Sequence, residues 1–518
     1  MDHSERPRAT CAAQTTLVVA GAAAAVLVAV AAMLSVFFAQ PFYSDFQIVL
    51  EGGYRISLGQ VPYRDFYMPV GPVTFYMQAL AIWLLGPGAW SMAAHSATLA
   101  GLLALGAYVL ARHRHGVLLS AVVAVFMAIS HNVVWAHPWY NQTAYFFFLL
   151  GAMLLIRGVE APRHGKAMLA ALALLSALAV LSKQDLAVAV PLLALYLWLA
   201  GKARLGAILG AYLAPFLLVL ALVALAYEAV GDFFAWFNYG QIPGNRAWLL
   251  KSSYLETLVW NWRLWALGLL GIYTVAKRLR GGEAPPRTLL AMVLVLVPFV
   301  TMHTSGLGVQ AKMQAVPLIA LLLLWEMEEV TRGRLPGAAL RVVMVLGLLF
   351  GAPIASVVKS VRVNLALAQG AEPATLARLG IGDAVRLGVG NEKGVLMHRQ
   401  ARDDLARIRE TIAAGDRNFV NLSELSFLYQ DFDQPPPEGL PLWFDHGISF
   451  QDAHIGLLTD GVVARGPEVI LLQDAHDHGD RELHGKLSTY YREHGYRIAF
   501  EVRAPRRAER PITVFVRR

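Results

Sequence analysis

Two short stretches hold the ionisable residues best placed for chemistry in an otherwise apolar chain. The first, FYSDFQ at 42–47, puts Asp45 just after an apolar run at 16–39, and the second, SKQD at 182–185, puts Lys183 and Asp185 between two apolar runs. Ionisable groups close to lipid are costly and tend to be functional. A carboxylate can act as a general base, and an ammonium can bind a phosphate. These types and positions indicate proton transfer and anion binding at a membrane surface.

Both stretches also have a purely structural interpretation. Ser44 and Gln47 have the spacing of a capping box, in which Asp45 would only favour the start of a helix. Asp45, Glu51 and Arg55 lie off the apolar stripe of that helix, which predicts a short helix in the membrane interface. The lysine and aspartate of SKQD could likewise be two neighbouring charges that compensate one another.

Composition indicates a membrane protein. Of 518 residues, 57% are hydrophobic and 15% are charged, which is unusual for a soluble domain. The formal net charge of +8 lies largely in short loops, so we do not expect a nucleic-acid partner. The single cysteine, Cys11, excludes an intrachain disulfide framework.

The apolar runs predict about eleven transmembrane helices, followed by a C-terminal α/β domain. After 16–39, the runs are 90–111, 117–134, 143–156, 167–181, 186–200, 206–229, 259–276, 288–302, 314–330 and 338–358. We interpret 73–86 as interfacial or re-entrant, because the basic loops then fall on the side of the N-terminus, as the positive-inside rule requires. The N-terminus is therefore expected in the cytoplasm and the C-terminal domain outside it.

The predicted external loops contain further candidates. The 130–141 loop carries His131, His137, Tyr140 and Asn141, but it lacks the extra ligands of a metal site, so an aromatic belt is favoured. The 231–256 loop could be an interfacial aromatic helix or could offer Arg246 to a phosphate. The 303–312 loop is rich in glycine and ends in Lys312, without the spacing of a nucleotide-binding loop.

The segment from 41 to 72 resembles the first extracytoplasmic loop of GT-C glycosyltransferases. The resemblance rests on FYSDF at 42–46, GQVPYRDF at 59–66, and the prolines and glycine at 69–72. It is closest to the bacterial branch that includes the aminoarabinose and protein O-mannosyl transferases. The resemblance implies a polytopic enzyme that uses polyprenyl-phosphate sugars. Asp45 matches the position of the acidic residue that is catalytic in this family. SKQD looks like the lysine-containing hairpin tip of these enzymes, and Lys312 precedes a late helix as a donor-binding residue often does.

The implied reaction is the inverting transfer of a monosaccharide to a lipid, glycan or protein acceptor outside the cytoplasmic membrane, with Asp45 as the base. Cations would stabilise the departing phosphate: Lys183 first, then Arg64, Arg246 and Lys312. Asp65 would orient Arg64 or bind the acceptor. The other expected substrate-binding residues are Tyr63, Tyr140, Asn141 and Gln184. Phe46 stands where many relatives have a second acidic residue, so we expect no metal or other cofactor.

The sequence divides into a transmembrane part, 1–359, whose first external loop covers 40–89, and a soluble part, 360–518. In the second part, helices are predicted at 403–414 and 485–493, strands at 418–422 and 468–472, and a closing hairpin at 496–502 and 512–516. Four dispersed histidines do not favour a metal site: His446, His454, His476 and His478. The domain could dock the acceptor.

Two other functions remain open from the sequence. Buried charges such as Lys183 and Asp185 also suit a transporter or flippase of lipid-linked saccharides, although no internal repeat is evident. A glycan polymerase or ligase would be expected to carry several arginines in a large late external loop, where this chain has only Arg246.

Overall fold

The computed structural model of the chain is mainly helical up to residue 368 and has its longer strands after that point. It describes residues 6–40, 44–132, 136–159, 161–237, 262–280, 286–301, 314–330, 338–382, 384–387, 393–423, 425, 427–447, 449–473, 482–503 and 511–518. Arg246, Lys312, His476 and His478, which the sequence analysis considered, therefore lie outside the described residues.

Most helices of the N-terminal part follow the predicted apolar runs. They are α1 (Arg6–Ala39), α2 (Ser44–Ser57), α3 (Val73–Leu85), α4 (Ala89–Ala111), α5 (Val117–Asn132), α6 (Tyr140–Arg157), α7 (Lys166–Ser182), α8 (Ala189–Leu199), α9 (Leu205–Glu228), α10 (Phe233–Phe237), α11 (Trp262–Arg280), α12 (Pro286–Thr301), α13 (Val316–Val330) and α14 (Ala338–Ala368). Within the described ranges, three helices have the length and composition to cross a membrane: Gln14–Ala39, Ala89–Ala111 and Leu205–Glu228. The chain is a multi-pass membrane protein, and the count of eleven spans stays a prediction.

Helix α3 is shorter than the three helices that have the length and composition to span a bilayer. Its 13 residues extend about 20 Å at 1.5 Å per residue, against about 30 Å of hydrocarbon. One side is buried against α2, with Phe75 beside Gly52 and Gln78 beside Gly53, while Leu80 and Trp83 are exposed. A short helix with an apolar outer face is of the kind that lies in a membrane interface, and the interfacial or re-entrant position of 73–86 stays a prediction.

The last long helix returns alongside the first. The side-chain amide of Asn364 in α14 donates to the carbonyl of Ser35 in α1 at 2.9 Å. Since α1 ends just before the first loop, the chain beyond α14 starts close to that loop. Helix α14 continues to Ala368 and so crosses residue 360; the division of the chain at 359 and 360 stays a prediction.

The C-terminal region (residues 360–518) contains a mixed four-stranded sheet formed by β4 (Phe419–Leu422), β6 (Val469–Gln473), β7 (Tyr496–Arg503) and β8 (Pro511–Arg517), in the order β4-β6-β8-β7. Its other elements are α15 (Pro373–Arg378), β2 (Ala384–Arg386), β3 (Leu396–His398), α16 (Arg399–Ala414), α17 (Leu428–Asp431), β5 (Leu440–Pro441), α18 (Ile455–Leu458), α19 (Asp460–Val463) and α20 (Leu483–Glu493). Strands β7 and β8 pair antiparallel, as the predicted closing hairpin requires. Strand β6 is buried along its whole length, as expected of a short apolar strand in the middle of a sheet.

A short strand pair joins the first loop to the C-terminal region. Strand β1 (Phe66–Tyr67) pairs parallel with β5, with Phe66 opposite Leu440 and Tyr67 opposite Pro441. Each strand has only two residues, which is too short to show an alternating pattern. The tertiary fold therefore creates this contact between distant parts of the chain.

Candidate active site

The SKQD turn (residues 182–185) holds two opposite charges away from water. Lys183 is extended, with φ −153° and ψ 121°, so that α7 ends at Ser182 and a 3-10 turn follows at Gln184–Val188. Its Nζ lies 3.2 Å from Oδ2 of Asp185, and the two side chains are only 7% and 6% exposed. A buried lysine needs such a partner, because the desolvation of an unpaired charge is costly.

The start of α6 brings an aromatic and an amide side chain to this turn. The ring centroid of Tyr140 lies 5.6 Å from Lys183 Nζ, and the same ring stacks on Trp139 at 4.4 Å. Asn141 follows and is almost fully buried; its Nδ2 has no hydrogen-bond partner within the described part of the chain. Tyr140 and Lys183 are thus neighbours, although 43 residues separate them in sequence.

The first loop rests directly on the SKQD turn. The Nε2 of Gln184 donates to the carbonyl of Pro69 at 2.9 Å and to that of Phe237 at 3.4 Å. A Cβ at Gly71 would lie 1.7 Å from the carbonyl oxygen of Leu181, so only glycine allows the two backbones to come so close. The segment from 41 to 72 and the SKQD turn are therefore in direct contact at Pro69 and Gly71.

Arg64 and Asp65 form a pair within the first loop. The Nε and Nη2 of Arg64 donate to the two carboxylate oxygens of Asp65 at 2.7 and 2.6 Å, and the Val61 amide donates to Oδ2 at 2.7 Å. The hydrogen bonds from Arg64 lower the pKa of the Asp65 carboxyl from its ordinary value, because they favour its charged form. The Arg64 side chain is 48% exposed, so this cation remains accessible to solvent.

Tyr63 packs inside the fold and stabilises the first loop. It is fully buried, with φ at 66°, and its hydroxyl donates to the carbonyl of Val70 at 2.6 Å. Its ring contacts those of Tyr227 and Phe233 edge-on at 5.2 and 4.9 Å. These contacts shape the loop between residues 63 and 70, so Tyr63 is not exposed to a substrate in this structure.

Helix α2 begins at Ser44 and so carries Asp45 in its first turn. The side chain of Asp45 lies outside the described part of the structure. Farther along α2 the structure differs from the interfacial helix expected from sequence. Glu51 and Arg55 are only 4% and 2% exposed, and their side chains form an ion pair at 2.6 Å between Oε1 and Nη2. Arg55 also contacts the C-terminal region through the carbonyl of Pro437.

Two histidines considered as metal ligands have other partners. The Nε2 of His446 lies 2.9 Å from Oδ1 of Asp452. His454 stacks on Trp236 at 4.3 Å, and burial lowers the pKa of His454. Their positions reflect packing of the C-terminal region.

Sequence reasoning missed the contacts made by Arg55 and Trp236. The i, i+4 spacing of Glu51 and Arg55 could have indicated an ion pair, but Pro437, whose carbonyl accepts from Arg55, lies 382 positions away. Trp236 stacks on Tyr67 at 4.4 Å and on His454 at 4.3 Å. An aromatic side chain in an external segment has no local feature that identifies such partners.

Comparison with known proteins supports the fold. No protein-family model and no curated protein matches the chain at significant similarity. Two solved structures of ArnT from Cupriavidus metallidurans, an aminoarabinose transferase with the GT-C fold, are similar over almost the whole chain. The structure bound to undecaprenyl phosphate has a TM-score of 0.52 and 14% identity, covering 95% of this chain and 97% of ArnT. The apo structure has a TM-score of 0.48 and 15% identity, covering 94% and 97%. The chain has the ArnT-like fold, and the predicted GT-C resemblance is confirmed at that level.

Proposed function

We propose that this membrane protein with an ArnT-like fold transfers a monosaccharide from a polyprenyl-phosphate donor to a lipid, glycan or protein acceptor. One observation carries the proposal beyond the fold: the first loop, which begins with the Asp45 helix, rests on the turn that holds the buried Lys183. The ArnT relative was solved with undecaprenyl phosphate bound, which supports a lipid phosphate as ligand here.

The proposed reaction is a displacement at the anomeric carbon. The acceptor hydroxyl oxygen forms a bond to this carbon while Asp45 removes the hydroxyl proton. The bond between the anomeric carbon and the phosphate oxygen breaks, and its electron pair leaves with the polyprenyl phosphate. Attack from the opposite side inverts the anomeric configuration.

Lys183 is the first candidate for binding the departing phosphate. An ammonium is a compact charge with N–H donors, and it lies here in a poorly hydrated setting where electrostatic attraction is strong. The phosphate can compete with the Asp185 carboxylate for this ammonium. Arg64, which is held by Asp65 yet accessible, is the second candidate, and Arg246 and Lys312 remain proposed on sequence alone.

Three further residues are proposed to contact the donor or acceptor: Tyr140, Asn141 and Gln184. Tyr140 lies over the Lys183 ammonium, and Asn141 follows it with a buried amide nitrogen available to a hydroxyl or phosphate oxygen. Asp65 is proposed to hold Arg64 in place. No metal is needed in this scheme, because the phosphate leaves with charge that fixed cations can stabilise.

The proposal includes the location of the reaction. The positive-inside rule applied to the sequence puts the N-terminus in the cytoplasm of a bacterium, and eleven spans put the C-terminal region outside. The first loop contacts the C-terminal region through β1 and β5, so both must lie on one side of the membrane. Residues 1–359 would form the catalytic membrane domain and 360–518 an external domain.

The test is turnover of a panel of polyprenyl-phosphate sugars by purified protein in lipid nanodiscs, with free polyprenyl phosphate as the product measured and membrane extract as acceptor source. We expect wild type to consume one donor, and Asp45→Asn to bind that donor without turning it over. Asp403→Asn, at a carboxylate that is 55% exposed on α16, is the matched control and should behave as wild type. If wild type consumes no donor, or if Asp45→Asn matches it, the transferase function is wrong and transport of a lipid-linked saccharide becomes the better explanation.

A further inference from the structure

We propose that Arg55 is a positioning residue that anchors α2, the helix that carries Asp45, to the C-terminal region. Contact between α2 and that region is then a requirement for sugar transfer. The inference rests on the proposed function in one respect only, the role of Asp45. The anchoring itself rests on observed contacts between α2, the residues after it and the proline segment at 435–437.

The Arg55 guanidinium bridges three separate segments. Its Nε donates to Oε1 of Glu51 at 2.8 Å within α2. Its Nη1 donates to Oε1 of Gln60 at 3.1 Å in the first loop and to the carbonyl of Pro437 at 2.9 Å in the C-terminal region. The carbon Cζ also lies 5.4 Å from the centroid of the Phe66 ring. A planar guanidinium with five N–H donors can satisfy all these directions at once, whereas a lysine cannot.

The proline segment at 435–437 is suited to this role. Prolines have a carbonyl acceptor but no backbone N–H, so the segment presents acceptors alone to the first loop. The loop supplies the donors: Arg55 donates to Pro437, and the Nε2 of Gln60 donates to the carbonyl of Pro436 at 2.8 Å. Two of the three consecutive prolines, Pro436 and Pro437, thus have specific partners in α2 and the residues just after it.

The same interface continues beyond Arg55 through backbone and ring contacts. The Gly439 amide donates to the carbonyl of Asp65 at 2.6 Å, and the Leu442 amide donates to that of Tyr67 at 2.8 Å. Tyr67, Trp236 and His454 form a stack of three rings from the first loop, α10 and the C-terminal region. The interface between the first loop and the C-terminal region is therefore continuous. Among the described residues of this interface, Arg55 is the only fully buried cation.

Helix α2 transmits this constraint to Asp45. The ten residues from Asp45 to Arg55 span about 15 Å of one helix, and Gly52 and Gly53 pack tightly against Phe75 and Gln78 of α3. Loss of the contacts at Arg55 would let α2 shift relative to the C-terminal region, together with the α3 helix against which it packs. Since misplacing a catalytic group by 1 Å can cost a factor of roughly 100 in rate, the effect is expected on catalysis rather than on donor binding.

The experiment compares wild type with Arg55→Gln and Arg55→Lys in nanodiscs by two measurements. Arg55→Lys keeps a positive charge beside Glu51, so we expect it to fold even if Arg55→Gln does not. Hydrogen exchange of the segment 438–443, measured in a peptide that begins before Pro437, reports on the Gly439 and Leu442 amides, and steady-state kinetics separates kcat from the donor KM. Arg402→Gln, at an exposed arginine on α16, is the matched control.

We expect faster exchange at 438–443 in both Arg55 variants, a fall in kcat of at least about tenfold, and a donor KM within about twofold of wild type. Unchanged exchange in both variants overturns the anchoring role. Faster exchange with wild-type kcat overturns the link to catalysis, as does a loss that appears only in KM. If wild type itself shows no turnover, the transfer function fails, while the exchange comparison still decides whether Arg55 anchors α2 to the C-terminal region.

Discussion

The side-chain amide of Gln184 donates a hydrogen bond to the carbonyl of Pro69 at 2.9 Å, across 115 residues of sequence. This bond joins the SKQD turn to the first loop, and Gly71 allows the two backbones to touch beside it. The first loop is thereby held against the turn that carries the buried Lys183.

The contact at Gly71 predicts a strong effect of adding a single methyl group. In Gly71→Ala the new Cβ would meet the Leu181 carbonyl oxygen at 1.7 Å, so the loop must move or the helix end must shift. We expect a loss of roughly 3 kcal/mol in unfolding free energy and a large fall in turnover. Gly485→Ala is the matched control: it lies in α20 with open space around it, and should stabilise the protein by about 0.5–1 kcal/mol. Equal melting of Gly71→Ala and wild type would contradict this packing.

The buried ion pair allows stability to be separated from function at Lys183. Lys183→Met leaves the Asp185 carboxylate buried without this ammonium, and we expect a loss of about 3–5 kcal/mol. Lys183→Met combined with Asp185→Leu replaces the pair by apolar side chains and should recover most of that stability. If Lys183 binds the donor phosphate, the double variant stays inactive despite its recovered melting temperature. Wild-type turnover in the stable double variant would exclude Lys183 as a phosphate ligand.

The Arg64 and Asp65 pair predicts a dependence of stability on pH. The hydrogen bonds from Arg64 hold the folded-state pKa of Asp65 below its unfolded value of about 3.9. The stabilisation is therefore present above that unfolded value and is lost as the pH falls through the lower folded value. We expect Asp65→Asn to unfold at a lower temperature than wild type at pH 7, with the difference closing below about pH 4. The difference in melting temperature should be modest, since Arg64 is half exposed. A difference that stays constant from pH 7 to pH 3 would disprove this origin.

Turnover is expected to be independent of divalent metal ions. The residue after Asp45 is Phe46, so the carboxylate lacks an adjacent acidic partner with which to bridge a metal. Incubation with EDTA followed by gel filtration should leave the rate of polyprenyl-phosphate release unchanged. A persistent loss that magnesium or manganese restores would show that a metal takes part. Asp45→Asn protein treated with EDTA in the same way gives the baseline rate for inactive protein.

The helical part of the fold was largely predictable, because it depends on local composition. The apolar runs at 167–181 and 186–200 became α7 with a 3-10 turn and α8, and the ionisable residues between them lie where the chain turns. The predicted strands at 468–472 and 512–516 pair as β6 and β8. Lipid and the protein interior both select long apolar segments, so hydropathy indicates these elements without knowledge of their partners.

The candidate site was predictable only in part. Lys183, Gln184 and Tyr140 were singled out by residue type and position, and the structure brings them together. Tyr63 was expected to bind substrate, but its hydroxyl is used within its own loop. The difference arises because residue type reveals the chemistry available to a side chain, whereas burial and hydrogen bonding decide which partner uses it.

The sequence by itself determined that this is a multi-pass helical membrane protein with ionisable residues at a few loop positions, because the cost of charge near lipid is a property of each segment alone. The tertiary structure alone decided that Gln184 contacts Pro69, that Arg55 contacts Pro437, and that β1 pairs with β5. Those contacts join residues 115 to 382 positions apart. They depend on how all the helices and the C-terminal sheet pack together, which no local pattern of residues encodes.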